Sequence, residues 1–254
     1  MNQAESSRAQ YFDSWYADMA DCPVKDEIEQ RHLGLPPHLL STSLLTWDGV
    51  AEVTGLLALR PGGTLVDLAC GRGGYGLEIA ARTGARLVGI DFSAEALRQA
   101  RELARRLGRE AEFCTGDLAA TGQGSGTADA VLCVDAIQFA EDPDAAYREL
   151  RRILVPGGRV VLTCWEALDA ADERVPARLR RVAIEAGLRA AGFTDVRVTE
   201  RAQWRDAERA MWTEAAALDP GGDPALQSFR DEGARSLDSY FDLLRRVLGA
   251  ATAP

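Results

Sequence analysis

Short apolar segments alternate with helix-length segments through the middle of this chain, and this alternation limits the possible folds more than any other feature. The predicted strands are 64–69, 86–90, 111–115, 130–134 and 159–164, and the predicted helices between them are 74–82, 94–107 and 143–154. Strands that are apolar along their whole length and are joined by helices form a parallel sheet covered on both faces. The central part of the chain is therefore predicted to be an α/β domain.

The flanking segments predict helices at both ends of this domain. The segment "RAQYFDSWYADM" (8–19) has aromatic residues at helical spacing, and "TWDGVAEVTGLLAL" (46–59) predicts a second helix. After the fifth strand, the pattern predicts a helix over 176–190, a strand at "FTDVRVTE", helices within 204–243 and a last strand over 246–252. We expect residues 1–59 to form a helical lid, and residues 60–254 to form the main domain with a helical cap around 204–243.

Composition and charge exclude several classes of partner. The chain has 29 Lys and Arg against 39 Asp and Glu, a net charge of −10, so a nucleic-acid partner is not expected. The polar start and the lack of any apolar run of roughly eighteen residues argue against a membrane segment and favour a cytoplasmic protein. The five cysteines lie far apart and form no C-x-x-C pair, so no metal site is predicted.

A glycine-rich turn follows the first strand. Residues 65–76 read "LVDLACGRGGYG", in which Gly71, Gly73 and Gly76 form G-x-G-x-x-G, and Asp91 follows about twenty residues later. Glycines let a ligand approach the backbone, and the helix N-terminus offers N–H groups to a negative group. Ligands of open parallel sheets bind at the carboxyl ends of the strands, so Asp91 is placed to accept hydrogen bonds from a ribose. Asp117, after the third strand, is placed to accept one from an adenine amino group.

Asp67 distinguishes two ligands that the glycine turn would fit equally well. A dinucleotide brings a diphosphate, and like charges about 5 Å apart cost about 3 kcal/mol at an effective dielectric constant of 20. S-adenosylmethionine carries no phosphate and brings a sulfonium, an ammonium and one carboxylate. Asp67 can face the ammonium while the amides of the turn bind the carboxylate. The carboxylate at position 67 therefore favours S-adenosylmethionine.

Four motifs in order resemble the class I S-adenosylmethionine-dependent methyltransferases. "VDLACGRGG" resembles their first motif, and "GIDFS", "GDL" and "LVPGG" are similar to the later ones, over roughly residues 60–200. The resemblance implies a Rossmann-like, mostly parallel seven-stranded sheet with an antiparallel last strand. The lid helix is expected either to close over the cofactor or to pack on the edge of the sheet. The cofactor-binding residues expected along the strand ends and on this helix are Tyr11, Tyr16, Asp67, Ala69, Gly71, Gly73, Asp91, Phe92, Gly116, Asp117, Leu118 and Asp135.

The catalytic base is the least determined part of the predicted site. Similar enzymes that methylate hydroxyl groups place a histidine after the fourth strand, where this chain has Gln138 or Phe139. Glutamine orients a substrate but takes up no proton at neutral pH. The candidate catalytic residues are His32, Asp135, Gln138 and Glu166. An amine, an enol or an acidic phenol would need no strong base, because positioning alone supplies a large acceleration.

These features predict an S-adenosylmethionine-dependent methyltransferase that acts on an O, N or C nucleophile of a small, apolar or aromatic metabolite. The arginine-rich, alanine-rich composition favours a bacterial source, and secondary metabolism, including antibiotic biosynthesis, is the expected setting. Three alternatives stay open: an NAD(P)-dependent oxidoreductase, a non-enzymatic binding module, and a cyclisation or rearrangement that uses the same fold and cofactor. A homodimer formed through the N-terminal helices is a further expectation.

Overall fold

The computed structural model describes residues 3–20 and 22–254, so residues 1, 2 and 21 of the expected lid lie outside the described part. The strands are β1 (Thr64–Leu68), β2 (Arg86–Asp91), β3 (Glu112–Thr115), β4 (Ala128–Val134), β5 (Leu154–Ala167), β6 (Thr194–Glu200) and β7 (Leu244–Thr252). The helices are α1 (Gln3–Ala20), α2 (Pro23–Leu33), α3 (Trp47–Leu57), α4 (Gly74–Thr83), α5 (Ala94–Leu107), α6 (Pro143–Ile153), α7 (Ala177–Arg180), α8 (Ile184–Ala190), α9 (Ala202–Ala216) and α10 (Pro224–Ser239).

Within the described residues the strands form one seven-stranded sheet in the order β3-β2-β1-β4-β5-β7-β6. The first five strands pair in parallel, whereas β7 runs antiparallel to both β5 and β6. The predicted sheet with an antiparallel last strand is confirmed. The strand order reverses between β1 and β4: the chain adds β2 and β3 on one side of β1 and then β4 and β5 on the other side. Sheets of this kind bind ligands beside such a reversal, at the carboxyl ends of strands such as β1, β2 and β4.

Alternating side chains along the strands build a core on each face of the sheet. Leu65 and Leu132 belong to the core shared with α3, α4, α5 and α9, while Val66 and Val131 belong to the core shared with α6 and α8. This two-sided burial explains why the central strands are apolar along their whole length.

N-cap side chains stabilise the first turns of α5 and α6, two helices that follow strands of the sheet. The hydroxyl of Ser93 accepts a hydrogen bond from Ala96 N at the start of α5, and the carboxylate of Asp142 accepts one from Ala145 N at the start of α6. These caps satisfy N–H groups that a helix leaves unpaired in its first turn.

The structure departs from the sequence prediction in three places. The segment predicted as one helix over 176–190 is divided into α7 and α8, and the strand predicted over 159–164 extends over 154–167. Helix α2 was not predicted, because its buried face carries Lys25 and Glu29 and therefore shows no apolar period. These two side chains bond to each other at 2.5 Å, so the pair satisfies itself inside the fold.

The lid helix α1 is attached to α5 by polar contacts. The carboxylate of Asp13 accepts hydrogen bonds from Ser93 Oγ at 2.6 Å and from Glu95 N at 3.2 Å. The side-chain amide of Gln99 donates to the carbonyl of Tyr16 at 2.9 Å. These contacts hold the aromatic side of α1 over the carboxyl ends of β1 and β2.

Candidate functional site

A cavity of about 530 Å³ lies between the carboxyl ends of the strands, the lid helix α1 and the cap helices α9 and α10. We call the lining residues from α1, from the loop before α3 and from the ends of β1 to β4 the sheet side, and it includes Tyr11, Phe12, Trp15, Tyr16, Thr42, Ala69, Asp91, Phe92, Leu118, Asp135, Gln138 and Phe139. We call the others around the cap helices the cap side: Trp165, Arg178, Leu179, Glu208, Trp212, Glu232, Ser236, Tyr240, Phe241 and Leu244. Its volume is typical of small-molecule sites, which span roughly 300–1,000 Å³.

The glycine turn between β1 and α4 has a backbone that most side chains disfavour. Ala69, Gly71 and Gly73 have φ angles of 57°, 52° and 78°. A Cβ atom at position 71 would lie 2.8 Å from Tyr16 Oη and 3.3 Å from Thr42 Oγ1. The turn therefore needs glycine at position 71, both for its backbone conformation and because the lid helix approaches it closely.

Asp91 ends β2 at the sheet side of the cavity. Its two carboxylate oxygens accept hydrogen bonds from Gly71 N and from Ser93 N, both at 2.9 Å. Burial raises the pKa of this carboxyl group, against the lowering effect of these hydrogen bonds. Each carboxylate oxygen has a further lone pair, so Asp91 can still accept a bond from a hydroxyl group in the cavity.

Asp67 does not line the cavity, and its contact with a ligand's ammonium group stays a prediction. It is 3% exposed, and a Cβ atom at Gly76 would lie 2.4 Å from its Oδ2, so α4 packs directly on the carboxyl group. Burial, followed by the charge of Asp91, raises its pKa to about 7, while the N–H of Gly76 lowers it. A group in this setting supports the first turn of α4 and is poorly placed to select a ligand by charge.

The segment after β3 contributes one of its three predicted residues to the cavity. Leu118 lines it, whereas Gly116 and Asp117 belong to the same turn without lining it. Gly116 packs against Ile90, and Asp117 accepts a hydrogen bond from Ala119 N at 3.2 Å. An adenine contact by Asp117 stays a prediction.

Aromatic rings of the lid pack on rings at the sheet side. Phe12 makes edge contacts with Phe92 at 5.3 Å and with Phe139 at 5.5 Å between ring centroids. Tyr16 is buried, and burial, followed by the charge of Asp91, raises the pKa of its hydroxyl group well above the ordinary value. The hydroxyl group of Tyr16 therefore remains protonated.

Asp135 lines the cavity but is already paired with Arg246, which is fully buried in β7. The guanidinium contacts both oxygens, one of them at 2.6 Å, and Thr163 Oγ1 and Leu44 N donate to them at 2.8 Å and 3.0 Å. Burial would raise the pKa of this carboxyl group, yet the charge and hydrogen bonds of Arg246 outweigh burial and lower it. Asp135 is thus held as a paired anion at the cavity wall, and its catalytic and cofactor-binding roles stay predictions.

Two other predicted catalytic residues lie outside the cavity. Glu166 accepts hydrogen bonds from Ile184 N and from Arg245 Nη2, both at 2.8 Å, and joins β5 to its neighbours. His32 Nε2 lies 2.6 Å from Glu214 Oε2 and joins α2 to α9. Neither residue lines the cavity, so their catalytic assignment has no support from these contacts and stays a prediction.

Gln138 does line the cavity, as its position after β4 predicted. Its amide nitrogen donates to the carbonyl of Asp135 at 3.3 Å, and its amide oxygen accepts from Cys164 Sγ at 3.6 Å. These contacts hold the side chain at the cavity wall, where it can orient a ligand by hydrogen bonding.

Glu208 is a cavity residue that the sequence reasoning missed. It lies on α9 and is 3% exposed, and its Oε1 accepts hydrogen bonds from Trp165 Nε1 at 3.1 Å and Trp212 Nε1 at 3.4 Å. Burial raises its pKa to about 8, although the charge of Arg246 acts in the opposite direction. The sequence did contain one indication of this role. Glu208 lies four residues from both Trp204 and Trp212, and this helical spacing places its carboxyl group on the apolar face of the helix.

Comparisons with known proteins identify the central part of the chain. The family model described as "Methyltransferase domain" matches residues 65–158. A 2-methyl-6-phytyl-1,4-hydroquinone methyltransferase from Synechocystis sp. is 30% identical over 178 residues, which are 68% of this chain and 55% of that protein. A sterol 24-C-methyltransferase from Aspergillus fumigatus is 31% identical over 134 residues, 52% of this chain and 36% of that protein. The chain therefore spans about half or less of the length of these relatives.

Solved structures share the fold over most of the chain. A [4+2]-cyclase, SpnF, is similar with a TM-score of 0.68 and 23% identity, covering 81% of this chain and 79% of that one. A phosphoethanolamine N-methyltransferase from Haemonchus contortus is similar with a TM-score of 0.71 and 18% identity, covering 94% of this chain and 60% of that one. The family match identifies residues 65–158 as a methyltransferase domain, and the solved structures share its fold.

Proposed function

Because residues 65–158 form a methyltransferase domain, we propose that this chain is an S-adenosylmethionine-dependent methyltransferase acting on a small molecule. One observation carries the proposal. A single cavity extends from Asp91 at the end of β2 to the aromatic residues of the cap helices, so it offers neighbouring space for a cofactor and an acceptor.

The residues of the sheet side fit the cofactor. The backbone at Gly71 lies closer to Tyr16 and Thr42 than a side chain would allow, and Asp91 presents a carboxylate to the cavity beside it. The apolar side chains of Phe92 and Leu118 suit the faces of an aromatic base. We therefore assign Asp91 to a ribose hydroxyl group, and Ala69, Phe92 and Leu118 to the nucleoside.

When bound, S-adenosylmethionine supplies an electrophilic methyl group carried on a sulfonium. The chain's own residues have other tasks. Phe12 and Tyr16 of the lid cover the cavity and exclude water, and Gln138 orients a polar group at the wall. Trp165, Trp212 and Phe241 of the cap side surround the acceptor with apolar surface. Holding the reactants together in this way supplies much of the acceleration that such reactions need.

The acceptor that this geometry favours is a small molecule with an apolar or aromatic body. The relatives named above are methyltransferases whose names specify a hydroquinone and a sterol, which agrees with the aromatic walls of the cap side. Within the described residues no helix has the length and apolar character needed to cross a membrane. A cytoplasmic location, a role in bacterial secondary metabolism or antibiotic biosynthesis, and a homodimer stay predictions from the sequence.

Isothermal titration calorimetry tests the cofactor assignment. We expect S-adenosylhomocysteine to bind and NADH not to bind. Asp91→Asn should weaken binding by about 5- to 150-fold, because a charge-assisted hydrogen bond is worth about 1–3 kcal/mol. Asp195→Asn is the matched control, since Asp195 is exposed on β6. Binding of NADH in place of S-adenosylhomocysteine would overturn the proposal and favour the oxidoreductase alternative.

A labelling experiment separates methyl transfer from a cyclisation that uses the same fold. The protein is incubated with S-adenosylmethionine carrying a labelled methyl group and with a panel of ring-bearing amines, phenols and enols. Label in a product, together with formation of S-adenosylhomocysteine, supports methyl transfer. An acceptor converted at constant mass, with the label left on the cofactor, would contradict it.

A further inference from the structure

We propose that the cap side of the cavity binds its acceptor as an amine, and that the carboxyl group of Glu208 receives the ammonium group. This inference rests on the proposed function, because it names the class of acceptor for the same cavity. It concerns a residue that no sequence motif of the chain indicates.

The first support is an unused oxygen of Glu208. Its Oε1 accepts the two indole N–H groups of Trp165 and Trp212. Its Oε2 makes no hydrogen bond among the described residues and has only an ion-pair contact with Arg246 Nε, 3.4 Å away, which lacks a hydrogen bond as well. A buried carboxyl oxygen without a hydrogen bond costs free energy, so a ligand ammonium group that reaches this oxygen from the cavity gains by bonding to it.

The second support is the charge around that oxygen. The nearest cation is Arg246, whose Nε lies 3.4 Å from Glu208 Oε2, but this guanidinium already bonds to both oxygens of Asp135. Two carboxyl groups thus share one positive charge in a buried setting. Without a ligand the second carboxyl group, that of Glu208, keeps its proton; a cationic ligand would favour its ionised form, whereas an anionic ligand would disfavour it.

The remaining charges on the lining favour the same class of ligand. Among the described lining residues, Asp91, Asp135, Glu208 and Glu232 are acidic, and Arg178 alone is basic. A phosphorylated or carboxylated acceptor would therefore meet repulsion with little compensation. The cap side also presents several aromatic rings, which attract an ammonium group more than an uncharged one.

The third support is the proton chemistry that this pairing allows. Burial raises the pKa of Glu208 to about 8, with Arg246 opposing and Asp135 adding to that rise. An alkylammonium group has a pKa near 10, close to that of a lysine side chain. A proton can therefore pass from nitrogen to Glu208 Oε2 at moderate cost. The N–H bond breaks, an O–H bond forms, and the electron pair stays on nitrogen as the lone pair of a neutral nucleophile.

Three matched probes that share one phenyl ring test the proposal. Phenethylamine carries an ammonium group, 2-phenylethanol carries a hydroxyl group, and 3-phenylpropanoate carries a carboxylate. Each is titrated into the protein saturated with S-adenosylhomocysteine, and binding is followed by calorimetry and by tryptophan fluorescence. The fluorescence reports directly on the site, because the indoles of Trp165 and Trp212 both bond to Glu208.

We expect phenethylamine to bind at least about tenfold more tightly than 2-phenylethanol, and 3-phenylpropanoate to bind most weakly. Glu208→Gln should remove the preference for the amine, while Glu185→Gln, on the exposed surface of α8, should keep it. Equal binding of the amine and the alcohol, tightest binding of the carboxylate, or an unchanged preference in Glu208→Gln would each overturn the proposal.

The design separates this inference from the proposed function. The affinity for S-adenosylhomocysteine is measured for each protein before the probes are added. Failure of the proposed function shows as loss of that affinity in the unmodified protein. Failure of the amine assignment shows as normal cofactor affinity with the wrong order of probe affinities.

Discussion

Replacing Glu208 by glutamine should make the protein less sensitive to rising pH. Glutamine has nearly the same shape, keeps an oxygen that accepts the indole N–H bonds of Trp165 and Trp212, and carries no ionisable group. The substitution therefore removes the titration of this side chain while leaving its packing in place. Any change in the pH dependence of the free energy of unfolding then reports on Glu208.

The structure gives the size and the sign of the effect. The pKa of Glu208 rises from 4.5, its ordinary value, to about 8 in the folded protein. Between these values the unfolded chain has lost the proton and the folded protein keeps it, so stability falls as pH rises. The slope from one such group is about 1.4 kcal/mol per pH unit. Over pH 5 to 8, Glu208 should cost the protein about 2–4 kcal/mol, a cost that the variant lacks.

Urea denaturation at pH 5.5, 6.5, 7.5 and 8.5 measures this difference. We expect the stability of Glu208→Gln, relative to the unmodified protein, to increase with pH and to level off above about pH 8. Glu185→Gln should follow the unmodified protein at every pH. The contribution of Asp67, whose pKa is also raised, is common to all three proteins and cancels. Parallel curves for Glu208→Gln and the unmodified protein would show that this carboxyl group is ionised in the fold, and would refute the reasoning.

Three further substitutions test other contacts of the site. Arg246→Met should lower the free energy of unfolding by about 3–5 kcal/mol in urea denaturation, because it leaves the buried Asp135 carboxylate unpaired. Adding Asp135→Asn to this variant should recover part of the lost stability. No recovery would contradict the pairing of Asp135 with Arg246. Gly71→Ala should weaken S-adenosylhomocysteine binding in calorimetry, and Tyr16→Phe in the same chain should restore part of it, because the new Cβ lies 2.8 Å from Tyr16 Oη. His32→Ala should change stability by less than about 1 kcal/mol, as expected for a partly exposed side-chain contact with Glu214, and should leave kcat unchanged. A large fall in kcat would support its catalytic assignment.

The fold followed from local patterns, and so did much of the sheet side of the cavity. The alternation of apolar strands and helices predicted the parallel sheet, and the spacing of the glycines and Asp91 predicted the ligand-binding edge. Ala69, Asp91, Phe92, Leu118 and Gln138 do line the cavity there. Such predictions succeed because a strand end and the turn after it are fixed by a few neighbouring residues.

Charge was harder to predict than position. Asp67 and Asp135 both end strands, and from the sequence both had the appearance of functional carboxylates. In the fold, one lies beneath α4 and the other is neutralised by a guanidinium 111 residues further along the chain. The protonation of a carboxyl group depends on burial and on nearby charges, and neither is encoded in the neighbouring residues.

The sequence by itself therefore determined the central alternation of strands and helices, the glycine turn and the edge at which a ligand is expected to bind, because each depends on short-range periodicity and backbone conformation. Only the tertiary structure decided which carboxyl groups face the cavity and which are already paired. It brings Glu208 of α9 to Trp165 of β5 and to Arg246 of β7, and it leaves one carboxyl oxygen with an ion-pair contact but no hydrogen bond among the described residues. That arrangement arises from contacts between distant segments, whose energies depend on distance and burial rather than on sequence spacing.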